Sequence, residues 1–170
     1  HELIDESYQS LREKTAIDLL ERLRTCSPAF FERIVVDLLM RMGYGGVAGQ
    51  GMVTGKAGDG GIDGVIKQDK LGLDVVCIQA KRWEGVVGRP TIQGFVGSME
   101  SMGSNKGVML TTSSFSKDAV EYAGRILKKV VLVDGEELAD LMIDHNLGIT
   151  ITKTYELKEV SNDFFDEGED

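Results

Sequence analysis

Gly58–Arg82 reads GDGGIDGVIKQDKLGLDVVCIQAKR, and this stretch decides the fold. Two runs in it, Ile62–Gln68 and Asp74–Lys81, are rich in β-branched residues and bounded by Gly and Asp, the pattern of two strands joined by a turn. Val75 to Ile78 is an unbroken apolar run, so the second strand is expected to be covered on both faces, as in the middle of a sheet. Alternation puts Val75, Cys77, Gln79 and Lys81 on one face and Val76, Ile78 and Ala80 on the other. A core strand thus delivers an amide and an ammonium side by side at its C-terminal end. Desolvating a lysine is costly without compensation, and Asp63 on the partner strand is the candidate. An acid followed by polar-x-Lys on the next strand can hold a divalent metal with a water beside it. Asp59 competes for that role, but it lies among glycines, whereas Asp63 is expected inside the strand between Ile62 and Val65.

The spacing D-(15 residues)-QxK, set inside GDGGIDG…CIQAKRW and followed by RPTIQGFVGSM and GVMLTTSSFSKDA, resembles the catalytic domain of Mrr-type restriction endonucleases. These belong to the PD-(D/E)xK nuclease superfamily. A lone D…QxK is weak evidence; the ordered series of segments, from Phe30 to Leu147, is far more specific. The resemblance implies an α/β protein with a restriction-endonuclease-like α/β/α sandwich on a central mixed sheet. It also implies a Mg²⁺-dependent DNA endonuclease, with Mn²⁺ as a substitute ion, that restricts modified (methylated) foreign DNA.

Carried onto this chain, Asp63 and the Ala80 backbone carbonyl bind the metal, with Gln79 and Glu32 as further ligand candidates. Lys81 orients the attacking water. Arg82, Arg89, Gln93 and Thr112 are expected to bind DNA or support the site. Gln79 departs from the superfamily, which has an acid there; it offers an amide oxygen but no charge, so one ion is expected rather than two. Nothing in these residues reads a base, so recognition of double-stranded, methylated DNA is assigned to an upstream domain missing from this chain. Cutting both strands makes a homodimer plausible. The rival readings are a non-catalytic nuclease-fold module that binds DNA or a partner, and a structure-selective nuclease of the Holliday-junction type.

With 170 residues, 42% hydrophobic and 28% charged, the chain has room for one folded domain with a proper core. No apolar run reaches the roughly 20 residues of a membrane span, and no signal-peptide pattern is present. The first residue is His1 rather than Met, which reads as a fragment or a trimmed chain. Cys26 and Cys77 lie far apart and read as reduced thiols, which suits a cytoplasmic protein. No zinc-spaced Cys/His cluster exists. The net charge of −9 argues against a freestanding DNA-binding module. Residues 156–170 carry −6 of it, leaving −3 for residues 1–155, so a metal ion and a separate domain must supply much of the attraction for DNA.

Residues 1–26 read as a lead-in helix or linker, residues 27–155 as the endonuclease domain and residues 156–170 as an acidic, flexible tail. The lead-in helix runs from Leu3 to Leu23, with Leu11, Ala16, Ile17, Leu19, Leu20 and Leu23 as its apolar residues. Ser27-Pro28 starts a second helix that ends at Met42, before Gly43, with a core face including Phe30, Phe31, Ile34, Val35, Leu38, Leu39 and Met42. Glu32 beside that face is either a solvated acid near the helix start or an accessory acid of the metal site. Gly45–Gly61 reads as a mobile glycine-rich loop carrying Lys56 and Asp59, with a short strand near Val47 and no phosphate-loop motif.

Pro90 opens a helix that buries Ile92, Phe95, Val96, Met99 and Met102. Gly94 and Gly97 on it suggest close packing against a strand. Gly107–Thr112 is the next strand. Ser116 caps a helix through Lys129, whose Arg125, Lys128 and Lys129 complement its dipole. Val130–Val133 is a further strand, Gly135 to His145 a last helix, and Ile149–Val160 a final edge-like strand. Early antiparallel strands followed by βα alternation give the sandwich on a mixed sheet.

Overall fold

The computed structural model describes residues 2–46, 51–53 (backbone only) and 61–166. Lys56, Asp59 and the strand expected near Val47 lie outside the described residues. Two helices come first, α1 (Glu2–Thr25) and α2 (Pro28–Arg41). The sheet follows as β1 (Gly51–Val53), β2 (Gly64–Lys67) and β3 (Val75–Lys81). The chain then alternates through α3 (Arg89–Ser101), β4 (Lys106–Thr111), α4 (Lys117–Arg125), β5 (Lys129–Val133) and α5 (Gly135–Asp144).

Among the described residues the strands lie in the order β1-β2-β3-β4-β5. β1, β2 and β3 pair antiparallel, while β3, β4 and β5 pair parallel, so β3 is where the direction of pairing changes. One cluster, with Phe31, Val35, Leu38, Ile66, Ile78, Leu110, Leu138 and Met142, fills the side of the sheet covered by α1, α2 and α5. The other, with Ile62, Cys77, Ile92, Phe95, Met99 and Met109, fills the side covered by α3 and α4. This is the expected α/β/α sandwich on a mixed sheet. Each buried Leu, Ile, Phe or Met contributes about 1.5–3 kcal/mol relative to exposure, so both layers hold β3 firmly.

The second half of α1 belongs to the first cluster through Leu19 and Leu23. Its Arg12 bridges Asp140 at 3.0 Å and Asp144 at 2.8 Å on α5. Leu11 and Ile17, expected among the packed residues, are exposed. The Ser27 hydroxyl accepts the N–H of Phe30, as the Ser-Pro start implies.

Several local expectations fail for identifiable reasons. Phe30 and Met102 sit at the ends of their apolar stripes and are about half exposed (47% each). Nothing lies within 4 Å of where a Cβ would stand on Gly94 or Gly97; the close approach is at Gly107 on β4, where a Cβ would come 2.6 Å from Met99 Sδ and 2.8 Å from the Phe95 ring. The strand, not the helix, therefore needs the glycine. α4 ends at Arg125 because Ile126 turns to extended backbone (ψ 155°). Lys128 then donates to the Ser104 carbonyl at 3.0 Å, and Lys129 opens β5, so neither complements the helix dipole. Residues 149–160 form no strand: Ile151, Tyr155, Leu157 and Val160 are exposed, and alternation without a ladder partner does not make one.

Candidate active site

Because β2 and β3 are antiparallel, the start of one and the end of the other meet at a single rim of the sheet. The last ladder pair there is Gly64 with Ile78, so β2 begins at Gly64 and Asp63 stands one residue before the strand rather than inside it. Its backbone is nonetheless tied in, for the Asp63 N–H donates to the Ile78 carbonyl at 2.8 Å. The Asp63 Oδ2 atom accepts the Ala80 N–H at 2.8 Å. The carboxylate is thus fastened to the backbone between Gln79 and Lys81. Burial pushes the Asp63 carboxyl above the usual range, opposed by the Ala80 N–H and by the positive charge of Lys81.

Glu32 lies on α2 beyond its first turn and is partly buried. Its carboxyl is also raised, first by burial and then by the negative charge of Asp63. Glu32 therefore stands in the field of Asp63. The residue lies beyond the first turn of α2, where the dipole reading has little force.

Gln79 is 5% exposed, and its Oε1 is buried with no hydrogen-bond partner among the described residues. The nitrogen end of the same amide is pressed against Gly61, where a Cβ would overlap Nε2 and where φ is +91°. An orphaned buried acceptor is costly and calls for a donor or a cation. Here it belongs to the residue next to Ala80, whose N–H holds the Asp63 carboxylate. Oxygen donors from Asp63, Gln79, Glu32 and the Ala80 carbonyl fit a hard divalent cation such as Mg²⁺. Among the described residues no three His, Cys, Asp or Glu side chains gather in a metal-binding group, so the amide and the backbone oxygen are needed to complete such a set.

Lys81 is partly buried, and its Nζ lies 5.1 Å from the centroid of the Trp83 ring. Its carbonyl accepts the Thr111 hydroxyl at 2.8 Å and the Thr112 N–H at 3.2 Å. Thr112 is fully buried, and its own hydroxyl donates to the Trp83 carbonyl at 2.9 Å, which makes it a support for this turn.

Arg82 points elsewhere: its Nη1 donates to the Arg24 carbonyl, at the end of α1, at 2.6 Å. Arg24 in turn donates to the Thr112 carbonyl through Nε at 3.3 Å and Nη2 at 3.2 Å. Arg89 pairs with Asp118 at 3.4 Å and stacks 4.9 Å from the Tyr122 ring, tying α3 to α4. Gln93 is exposed on the second turn of α3 and makes no hydrogen bond to Asp63, Gln79 or Lys81. The fold thus joins Asp63 to Ala80, between Gln79 and Lys81, with Glu32 in the field of Asp63 and Thr112 supporting the turn after Lys81, while Arg89 is tied to α4 instead. Sequence reasoning passed over Gly61, Arg24 and Trp83. Of these, only Trp83 carried a signal, as an aromatic two residues past the lysine.

A family model described as restriction endonuclease, the Mrr catalytic domain, matches residues 23–142. The type IV methyl-directed restriction enzyme EcoKMrr of Escherichia coli (strain K12) is 42% identical over 163 residues. That match covers 96% of this chain and 53% of the relative, so the chain spans about half the relative's length. Among solved structures, the DNA modification-dependent restriction endonuclease AspBHI superimposes with a TM-score of 0.60 at 17% identity, covering 81% of this chain and 36% of that one. The MspJI restriction endonuclease, in complex with a 27-mer oligonucleotide, gives 0.55 at 24% identity, covering 82% and 33%. These two likenesses concern the fold. The chain belongs to the restriction endonuclease family defined by the Mrr catalytic domain.

Proposed function

We propose that this domain is a Mg²⁺-dependent endonuclease, with Mn²⁺ as a substitute ion, that hydrolyses phosphodiester bonds in double-stranded, methylated DNA. The observation that carries the reading is the fastening of the Asp63 carboxylate to the Ala80 N–H, between Gln79 and Lys81, with Glu32 in its field. Asp63, the Gln79 amide oxygen, the Ala80 carbonyl and Glu32 would hold the ion. A bound Mg²⁺ supplies Lewis acidity and neutralises charge building on the scissile phosphate. Lys81, whose positive charge already reaches Asp63, orients the attacking water and favours its deprotonated form. With two acids and an amide rather than three acids, the site suits one ion.

The net charge of −9 gives the domain little long-range pull on DNA. Target choice accordingly belongs to a separate recognition domain, in keeping with a relative that is nearly twice as long and is named as methyl-directed. Scission of both strands then calls for a homodimer or two visits. No helix among the described residues is long and apolar enough to cross a membrane, and we place the enzyme with its DNA substrate in the cytoplasm. The test is calorimetric titration of Mg²⁺ and Mn²⁺ into the wild type and Asp63→Ala, with plasmid nicking assayed on the same samples. Binding and nicking, both lost in the variant, are expected. Nicking that survives in Asp63→Ala would refute the assignment.

A further inference from the structure

Lysine is a flexible side chain, and a catalytic ammonium must be held in one place to be useful. Among the described residues no salt bridge holds Lys81; its Nζ lies 5.1 Å from the Trp83 ring centroid, within cation–π range. The backbone that carries the ring is held. The Trp83 backbone N–H donates to the Lys81 carbonyl at 3.0 Å, closing the chain into a tight turn. Three consecutive hydroxyls at the end of β4 then grip that turn. Thr111 donates to the Lys81 carbonyl at 2.8 Å, Thr112 to the Trp83 carbonyl at 2.9 Å and Ser113 to the Glu84 carbonyl at 3.2 Å. Arg24 braces Thr112 from behind through its carbonyl. An indole 43% exposed is ordinarily a loose surface group, yet here its backbone is fixed on both sides.

We infer that Trp83 is a positioning residue: its ring face holds the Lys81 ammonium at the rim where Asp63 meets β3, and the Thr111-Thr112-Ser113 hydroxyls hold the backbone that carries the ring. This inference rests on the nuclease reading for its catalytic consequence but not for the contact. A Leu in place of Trp83 keeps apolar bulk and loses the ring face, while Phe keeps a weaker face.

The experiment compares wild type, Trp83→Phe, Trp83→Leu and Lys81→Ala in two assays, with circular dichroism to verify the fold. The first is steady-state plasmid nicking with Mg²⁺. Trp83→Leu should lower kcat about tenfold with KM changed less than about threefold, and Trp83→Phe should stay within about threefold of wild type. The second is trace reductive methylation of Lys81, read by peptide mass spectrometry against the exposed Lys158 as internal reference. Release of the ammonium should make Lys81 label several-fold faster in Trp83→Leu than in wild type.

Unchanged labelling of Lys81 in Trp83→Leu would overturn the inference, as would a loss of activity carried by KM alone. If wild type nicks no DNA, the nuclease reading fails, and labelling alone judges whether Trp83 holds Lys81.

Discussion

The Asp63 Oδ2 atom accepts the Ala80 N–H at 2.8 Å, so the acid from the start of β2 is fixed at the end of β3, between Gln79 and Lys81. One carboxylate oxygen is committed to the fold. The arrangement ties chemistry to stability in ways that experiment can separate.

Asp63→Asn should stabilise the fold while abolishing cleavage. Burial raises the Asp63 carboxyl in the folded protein, so its ionised form costs stability at neutral pH, and that cost is relieved as pH falls through the raised value. Asn keeps an acceptor for the Ala80 N–H and carries no charge. Thermal melts at pH 7 should show Tm raised by about 2–4 °C, with the difference shrinking toward about pH 4. A lower Tm at pH 7 would contradict the electrostatic account.

Glu32→Gln should lower metal affinity without weakening the fold. The two carboxyls oppose each other until a cation lies between them, so removing one charge eases the apo protein and weakens the loaded one. Calorimetry with Mn²⁺ should show affinity reduced about tenfold or more. Unchanged affinity would remove Glu32 from the ligand set.

Gly61→Ala should cost about 1–3 kcal/mol in urea unfolding, from the strained φ together with the collision at Gln79. Gln79 is almost wholly buried and has little room to retreat. Nicking should fall further than stability explains, because the displaced amide carries the orphaned oxygen with it. Wild-type nicking in Gly61→Ala would argue that the Gln79 orientation is immaterial.

Arg82→Ala separates support from DNA contact. Its Nη1 donates to the Arg24 carbonyl near the end of α1, so the variant should lose about 1 kcal/mol of stability. The salt dependence of DNA binding should keep its slope; a slope reduced by about one would mean that Arg82 neutralises a phosphate.

The sheet was legible because β-branched runs, Gly-Asp boundaries and the alternation in Asp74–Lys81 all report local preference, and local preference agreed with tertiary context. The same alternation placed Gln79 and Lys81 on one face. What could not be read depends on partners distant in sequence. That the Arg82 guanidinium meets the Arg24 carbonyl, 58 residues earlier in the chain, has no local signal. Glu32 was ambiguous because helical periodicity puts it beside the core face, and only docking of α2 decides what it meets. Gly94 and Gly97 suggested a tight helix–strand contact that is made instead by Gly107. The alternation in residues 149–160 lacked what no pattern supplies, a neighbouring strand.

The central claim is that the rim formed by Asp63, Gln79 and Lys81 cleaves DNA. The most direct measurement is supercoiled-plasmid nicking by wild type and Lys81→Ala in Mg²⁺, with circular dichroism verifying that both are folded. The account predicts nicking by the wild type and, in a folded Lys81→Ala, loss of at least about a thousandfold. Nicking by folded Lys81→Ala at the wild-type rate would contradict it.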